Sequence, residues 1–108
     1  MTQIRVLTVD TEGTAQHIEI GNDFRSFQAV VGGYIEGVFG GNVATIYVNE
    51  EGLLKDLPFN PFATEFANRI LDANVRLFGT ALIVGPVDDE GNDTHVRPSV
   101  VDYYTLEA

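Results

Sequence analysis

Ile4, Val6, Leu7 and Val9 form a short apolar run that ends in the turn-rich Asp10-Thr11-Glu12-Gly13-Thr14. In the segment that follows, Gln16-His17-Ile18-Glu19-Ile20, two isoleucines alternate with polar residues. Apolar alternation on either side of a turn predicts a β-hairpin. The period then lengthens. Phe24, Phe27 and Val31 recur at helical spacing behind Asn22 and Asp23, either of which can cap a helix, and Gly32 supplies a left-handed stop.

Tyr34 to Phe39 and Val43 to Val48 make the clearest strand pair, joined by Gly40-Gly41-Asn42. A second helix is predicted from Asn60 as cap and Pro61 at the first helical position, with Phe62, Phe66 and Ile70 stacked along one side and Glu65 and Arg69 as an exposed pair. It should end near Asp72-Ala73-Asn74. Gly79 to Gly85 encloses an apolar run that reads as a buried strand, and Asp88 to Asp93 reads as a turn. His95-Val96-Arg97 is a candidate strand, while Ser99 to Leu106 fits either a short helix or an edge strand. The expected architecture is α+β, a mixed or mainly antiparallel sheet covered on one face by two helices. Residues 1–108 are expected to form a single domain, a length that can bury roughly 60–70% of the unfolded surface.

Charge narrows the partners. Six Lys plus Arg stand against sixteen Asp plus Glu, a formal net charge of -10. Binding to nucleic acid or an anionic membrane is driven by basic side chains that displace counterions, so direct nucleic-acid binding is not expected, and a basic protein partner is. The chain has no cysteine, which removes disulfides and thiolate metal sites. No apolar run approaches a membrane span, and Met1 leads into a strand pattern rather than an export signal, so a cytoplasmic location is expected.

None of the familiar catalytic patterns is present. Gly32-Gly33 lacks the third spaced glycine and the Lys-Ser/Thr of a phosphate loop. Its structural reading is a helix stop feeding a strand, and its functional alternative is a pair of backbone amides exposed beside Tyr34. Asn49-Glu50-Glu51-Gly52 reads as a solvated turn with Gly52 in the left-handed position. Glu50 could act as an acid or base, but adjacent carboxylates on a strand face opposite ways and do not make a catalytic pair.

The Asp88 to Asp93 segment fails the calcium-loop pattern, because placing Gly91 at the sixth position puts Pro86 at the first. His17 and His95 are isolated, so no metal and no cofactor is expected. Ser26 and Ser99 occupy no nucleophile elbow. Phe24, Phe27, Phe39, Phe59, Phe62, Phe66 and Phe78 read as hydrophobic core rather than a base-stacking set, since few basic residues accompany them.

The ordered set Val31-Gly32-Gly33-Tyr34-Ile35-Glu36, Val48 to Lys55, Leu57-Pro58, Asn60 and Gly79 to Gly85 resembles DUF3846, a family of small uncharacterised proteins from bacteria, plasmids and phages, over about residues 4 to 96. The resemblance implies relatedness and a phage or plasmid association, and carries no reaction or cofactor with it. The matching segments make Gly32, Gly33, Tyr34, Asn49, Glu50 and Asn60 the candidate binding residues. The leading expectation is a noncatalytic intracellular interaction or regulatory protein. The alternatives are a small enzyme using the Tyr34, Asn49 and Glu50 region, and an acidic DNA mimic that occupies the groove of a basic protein.

Overall fold

A computed structural model describes residues 2–105 of the protein. Its elements run β1 (Gln3–Val9), β2 (Ala15–Gly21), α1 (Phe24–Val31), β3 (Ile35–Gly40), β4 (Ala44–Asn49), α2 (Pro61–Arg69), β5 (Ala81–Val84) and α3 (Pro98–Thr105). The five strands form one sheet in the order β2-β1-β5-β4-β3 with every neighbour antiparallel. The expected α+β class and both hairpins are present.

Strand parity divides the core. Ile4 and Val6 of β1, Tyr47 of β4, and Leu82 and Val84 of β5 pack with Phe27 and Val31 of α1. The alternate residues Leu7, Val9, Ile46, Val48 and Ile83 pack with Ala63, Phe66 and Ala67 of α2 and Val100 of α3. Helices therefore cover both faces, not one, and there is a third helix. The central strands β1, β4 and β5 are apolar on both sides because both sides are buried, which an alternating pattern read one strand at a time does not reveal. The open choice for the C-terminal element resolves to α3, while Leu106, where that element was expected to end, lies outside the described residues.

Local chemistry explains most boundaries. The Asp23 carboxylate accepts from the Ser26 amide at 2.8 Å and caps α1, and this bond is the main cause that holds its carboxyl below the usual range. Gly32 closes the same helix in the left-handed conformation, its amide bonded to the Gln28 carbonyl at 2.8 Å.

The two acidic turns are built alike. In Asp10-Thr11-Glu12-Gly13-Thr14 the Asp10 Oδ1 accepts from the Glu12 and Thr14 amides, and in Asp88-Asp89-Glu90-Gly91-Asn92 the Asp88 Oδ1 accepts from Glu90 and Asn92, all at 2.9 Å. Gly13 and Gly91 take φ of 89° and 82°, which a side chain would resist. One short polar pattern thus specifies the same turn twice, and the Asp88 oxygen is occupied by backbone.

Helix α2 departs from its expected stripe. Phe66 is buried, but Phe62 and Ile70 are 42% and 43% exposed, and the covered face is Ala63, Thr64, Phe66 and Ala67. Residues four apart drift around a helix, so Phe62 and Ile70 fall on either side of the line that Phe66 occupies. The helix also ends at Arg69, not near Asp72. Asn68 closes the following stretch by exchanging two 3.0 Å bonds with Val75, and Arg69 pairs with Glu65 at 3.0 Å.

Of the seven phenylalanines, only Phe27 and Phe66 lie in the buried core. Phe24 and Phe39 are exposed, and Phe59 and Phe78 meet edge to face beneath the Arg76 guanidinium. His95-Val96-Arg97 is not a strand, although the Val96 amide bonds the Arg5 carbonyl at 3.0 Å.

Candidate functional site

Strand β4 delivers Asn49 to the end of the sheet where α1 stops and β3 begins. Pairing of Ile35 with Asn49 brings Gly33 and Tyr34 beside it, and the Glu50 amide donates to the Tyr34 carbonyl at 2.9 Å. Gly32, Gly33, Tyr34, Asn49 and Glu50 are thus brought together. Their chemistry is unequal.

Asn49 shares the parity of Thr45 and Tyr47, so its side chain turns under α1 and is buried. Its Nδ2 donates to the Val31 carbonyl at 3.3 Å and its Oδ1 accepts from the Glu51 amide at 2.8 Å. The amide thereby ties the exit of the helix to the start of the next turn. A Cβ on Gly33 would approach Asn49 Nδ2 to 2.8 Å, so glycine at 33 is explained by close packing. Tyr34 and Glu50 are exposed.

Asn60 lies at the same end of the sheet but inside it. Its Oδ1 caps α2 through the Ala63 amide at 3.0 Å, and its Nδ2 donates to the carbonyls of Val9 and Gly79, each at 2.9 Å. The residue is fully buried, and these bonds occupy its side chain. It does not join Tyr34 and Glu50 at the surface.

After Glu50 the chain closes a tight loop. The Gly52 amide bonds the Asn49 carbonyl at 3.1 Å, Lys55 that of Glu51 at 2.8 Å, and Leu57 that of Gly52 at 2.9 Å. The left-handed residue is Asp56, at φ 57°, rather than Gly52, which is buried against Phe78. Leu53 and Leu54 stand at the crest, 73% and 86% exposed, with Tyr34 at 67% on the neighbouring segment. The chain pattern does carry a signal for this pair: two adjacent leucines in a polar turn fit neither helical nor strand periodicity.

A concave region of about 530 Å³ lies elsewhere, between the start of α1 and the Asp88 turn. Beside it Tyr47 donates to Asp93 at 2.7 Å, and burial followed by that bond pushes the phenol pKa up. Among the described residues, no group of three or more His, Cys, Asp or Glu side chains could hold a metal ion, and no helix is long and apolar enough to cross a membrane.

No curated protein and no solved structure matches the chain. Residues 4–107 match the model of a family described as a domain of unknown function, DUF3846. The match takes in the Tyr34 end of the sheet, the acidic turns and α3 alike, and the chain belongs to the DUF3846 family.

Proposed function

We propose that this protein is a noncatalytic interaction module of the cytoplasm that docks on a basic protein through the Leu53-Leu54 loop and the adjoining Tyr34. The observation that carries the reading is the exposure of two adjacent leucines, 73% and 86%, on a loop closed by its own backbone bonds. A pre-ordered loop loses little further freedom when it docks. Exposed Glu50 and Asp56 flank the leucines, and the formal charge of -10 favours encounter with a positive surface.

An enzyme at the same place has less to work with. The Asn49 amide is bonded to backbone at both ends, and Tyr34 and Glu50 stand on a surface open to water.

The test compares affinity capture by the wild-type protein with capture by a Leu53→Ser, Leu54→Ser double variant, followed by reconstitution with the purified partner. The expected partner has a basic surface, binds more weakly as salt rises, and loses about tenfold or more in affinity with the double variant. An unchanged partner set on the folded double variant overturns the docking surface. Copurification of a metabolite in place of a protein favours the enzyme, and capture of a DNA-handling enzyme by acidic groups away from the leucines favours the DNA mimic.

A further inference from the structure

Both histidines of the chain and two of its six Lys plus Arg residues line one groove of about 330 Å³: His17, His95, Arg5 and Arg97. The β1–β2 register opposes Leu7 to His17 and Arg5 to Glu19, so Arg5 and His17 are diagonal neighbours on the sheet face that also carries α3. The segment before α3 is laid over the same spot by three bonds. Gly85 donates to the Thr94 carbonyl at 2.8 Å, the Arg5 amide to His95 Nδ1 at 2.9 Å, and Val96 to the Arg5 carbonyl at 3.0 Å. With Nδ1 accepting, the neutral His95 ring carries its proton on Nε2 and keeps that N–H as a donor.

Of the other four cations, three have an acidic or aromatic partner, and Arg25 forms no ion pair among the described residues. Lys55 pairs with Glu51, Arg69 with Glu65, and Arg76 lies over Phe59 and Phe78. Among the described residues, the Arg5 and Arg97 guanidinium groups form no ion pair, although Asp102 lines the groove and Glu19 stands opposite Arg5. Two arginines and two histidines therefore border one small space, together with apolar Val96, Pro98 and Val101.

We propose that this groove binds the phosphate group of a small phosphorylated molecule, with Arg5 and Arg97 as the principal donors and His17 and His95 beside them. A phosphate matches that donor number better than a carboxylate does, having three terminal acceptor oxygens and nearly two charges to set against Asp102 and Glu19. The apolar wall is placed to take the organic part of such a ligand. A nucleic-acid strand is disfavoured, because its further phosphates would run onto a surface of net charge -10.

With two histidines, their ring resonances give a two-signal assay. The purified protein is titrated with inorganic phosphate and, separately, with a nucleoside monophosphate, at constant pH and ionic strength. The expected result is a saturable shift of both signals, weakened about tenfold or more by Arg5→Ala or Arg97→Ala, partly restored by Arg97→Lys, and unaffected by Arg69→Ala. Tighter saturation by the nucleotide assigns the apolar wall to the organic part, and equal saturation identifies the free anion as the ligand. Each variant is first required to keep the wild-type thermal transition, since the replaced side chains are exposed. Absence of a saturable shift with either probe, or equal weakening by Arg69→Ala, overturns the site.

Discussion

Asn60 holds Val9 in place: its Nδ2 reaches the Val9 carbonyl at 2.9 Å while its Oδ1 caps α2, so one buried side chain joins the end of β1 to the start of a helix fifty-one residues later. Asn60→Ala removes the cap and leaves the Val9 and Gly79 carbonyls without that donor. The expected loss is about 2–4 kcal/mol, combining a cap with unsatisfied buried acceptors. Urea unfolding measures it, and a change below about 1 kcal/mol contradicts this role. Asn60→Asp keeps the capping oxygen but not the donor, and is expected to remain destabilised.

Gly33→Ala tests the contact between Gly33 and Asn49. The new methyl group would meet Asn49 Nδ2 at 2.8 Å and disturb its bond to Val31, with an expected loss of about 1–3 kcal/mol. In the Asn49→Ala background the obstruction is gone, so the added effect of Gly33→Ala should shrink. A double-mutant cycle reads that coupling, and strict additivity contradicts the contact.

Phe66 is the largest fully buried side chain and lies 5.2 Å and 5.7 Å, ring to ring, from Tyr103 and Tyr104. Phe66→Ala is expected to destabilise the fold by about 3–5 kcal/mol. Phe62→Ala, four residues earlier and partly exposed, should lose clearly less. Denaturant midpoints for the two variants decide the comparison, and equal losses restore the Phe62-Phe66-Ile70 stripe as the buried one.

Tyr47 and Tyr104 both have raised pKa values, burial being the largest cause for each. Folding therefore favours the protonated phenols. Their contribution is fully present below the unfolded value of 10.0 and is lost as pH rises through the raised folded values. Stability should fall steadily above about pH 10, and Tyr47→Phe should flatten part of that fall. Thermal melts across the alkaline range test the slope; an identical slope in Tyr47→Phe excludes Tyr47 as a contributor.

What the sequence determined by itself is the set of features enforced within a few residues. The hairpins, the Asp23 and Asn60 caps and the Gly32 stop need only short-range bonds and backbone preferences, and they stand where those rules put them. The Asp10 and Asp88 turns are equally local, since one carboxylate oxygen and one glycine suffice for each. Family membership was legible too, in the order of segments from Val31 to Gly85, and the match over residues 4–107 carries it further along the chain.

Tertiary structure decided which polar groups face inward. Asn49, Glu50 and Asn60 look equivalent as polar residues, but strand parity turns Asn49 under α1, the loop leaves Glu50 in water, and the meeting of β1, α2 and the approach to β5 encloses Asn60. The same holds for the faces of the helices. Phe62, Phe66 and Ile70 share a helical spacing, yet only the position aimed at the sheet is buried, because burial depends on where the partner surface lies. His17 and His95 are isolated along the chain and become neighbours through the β1–β2 register and the bonds that fasten residues 94–96 to β1 and the end of β5. Such proximity is a property of long-range pairing, which local periodicity does not encode.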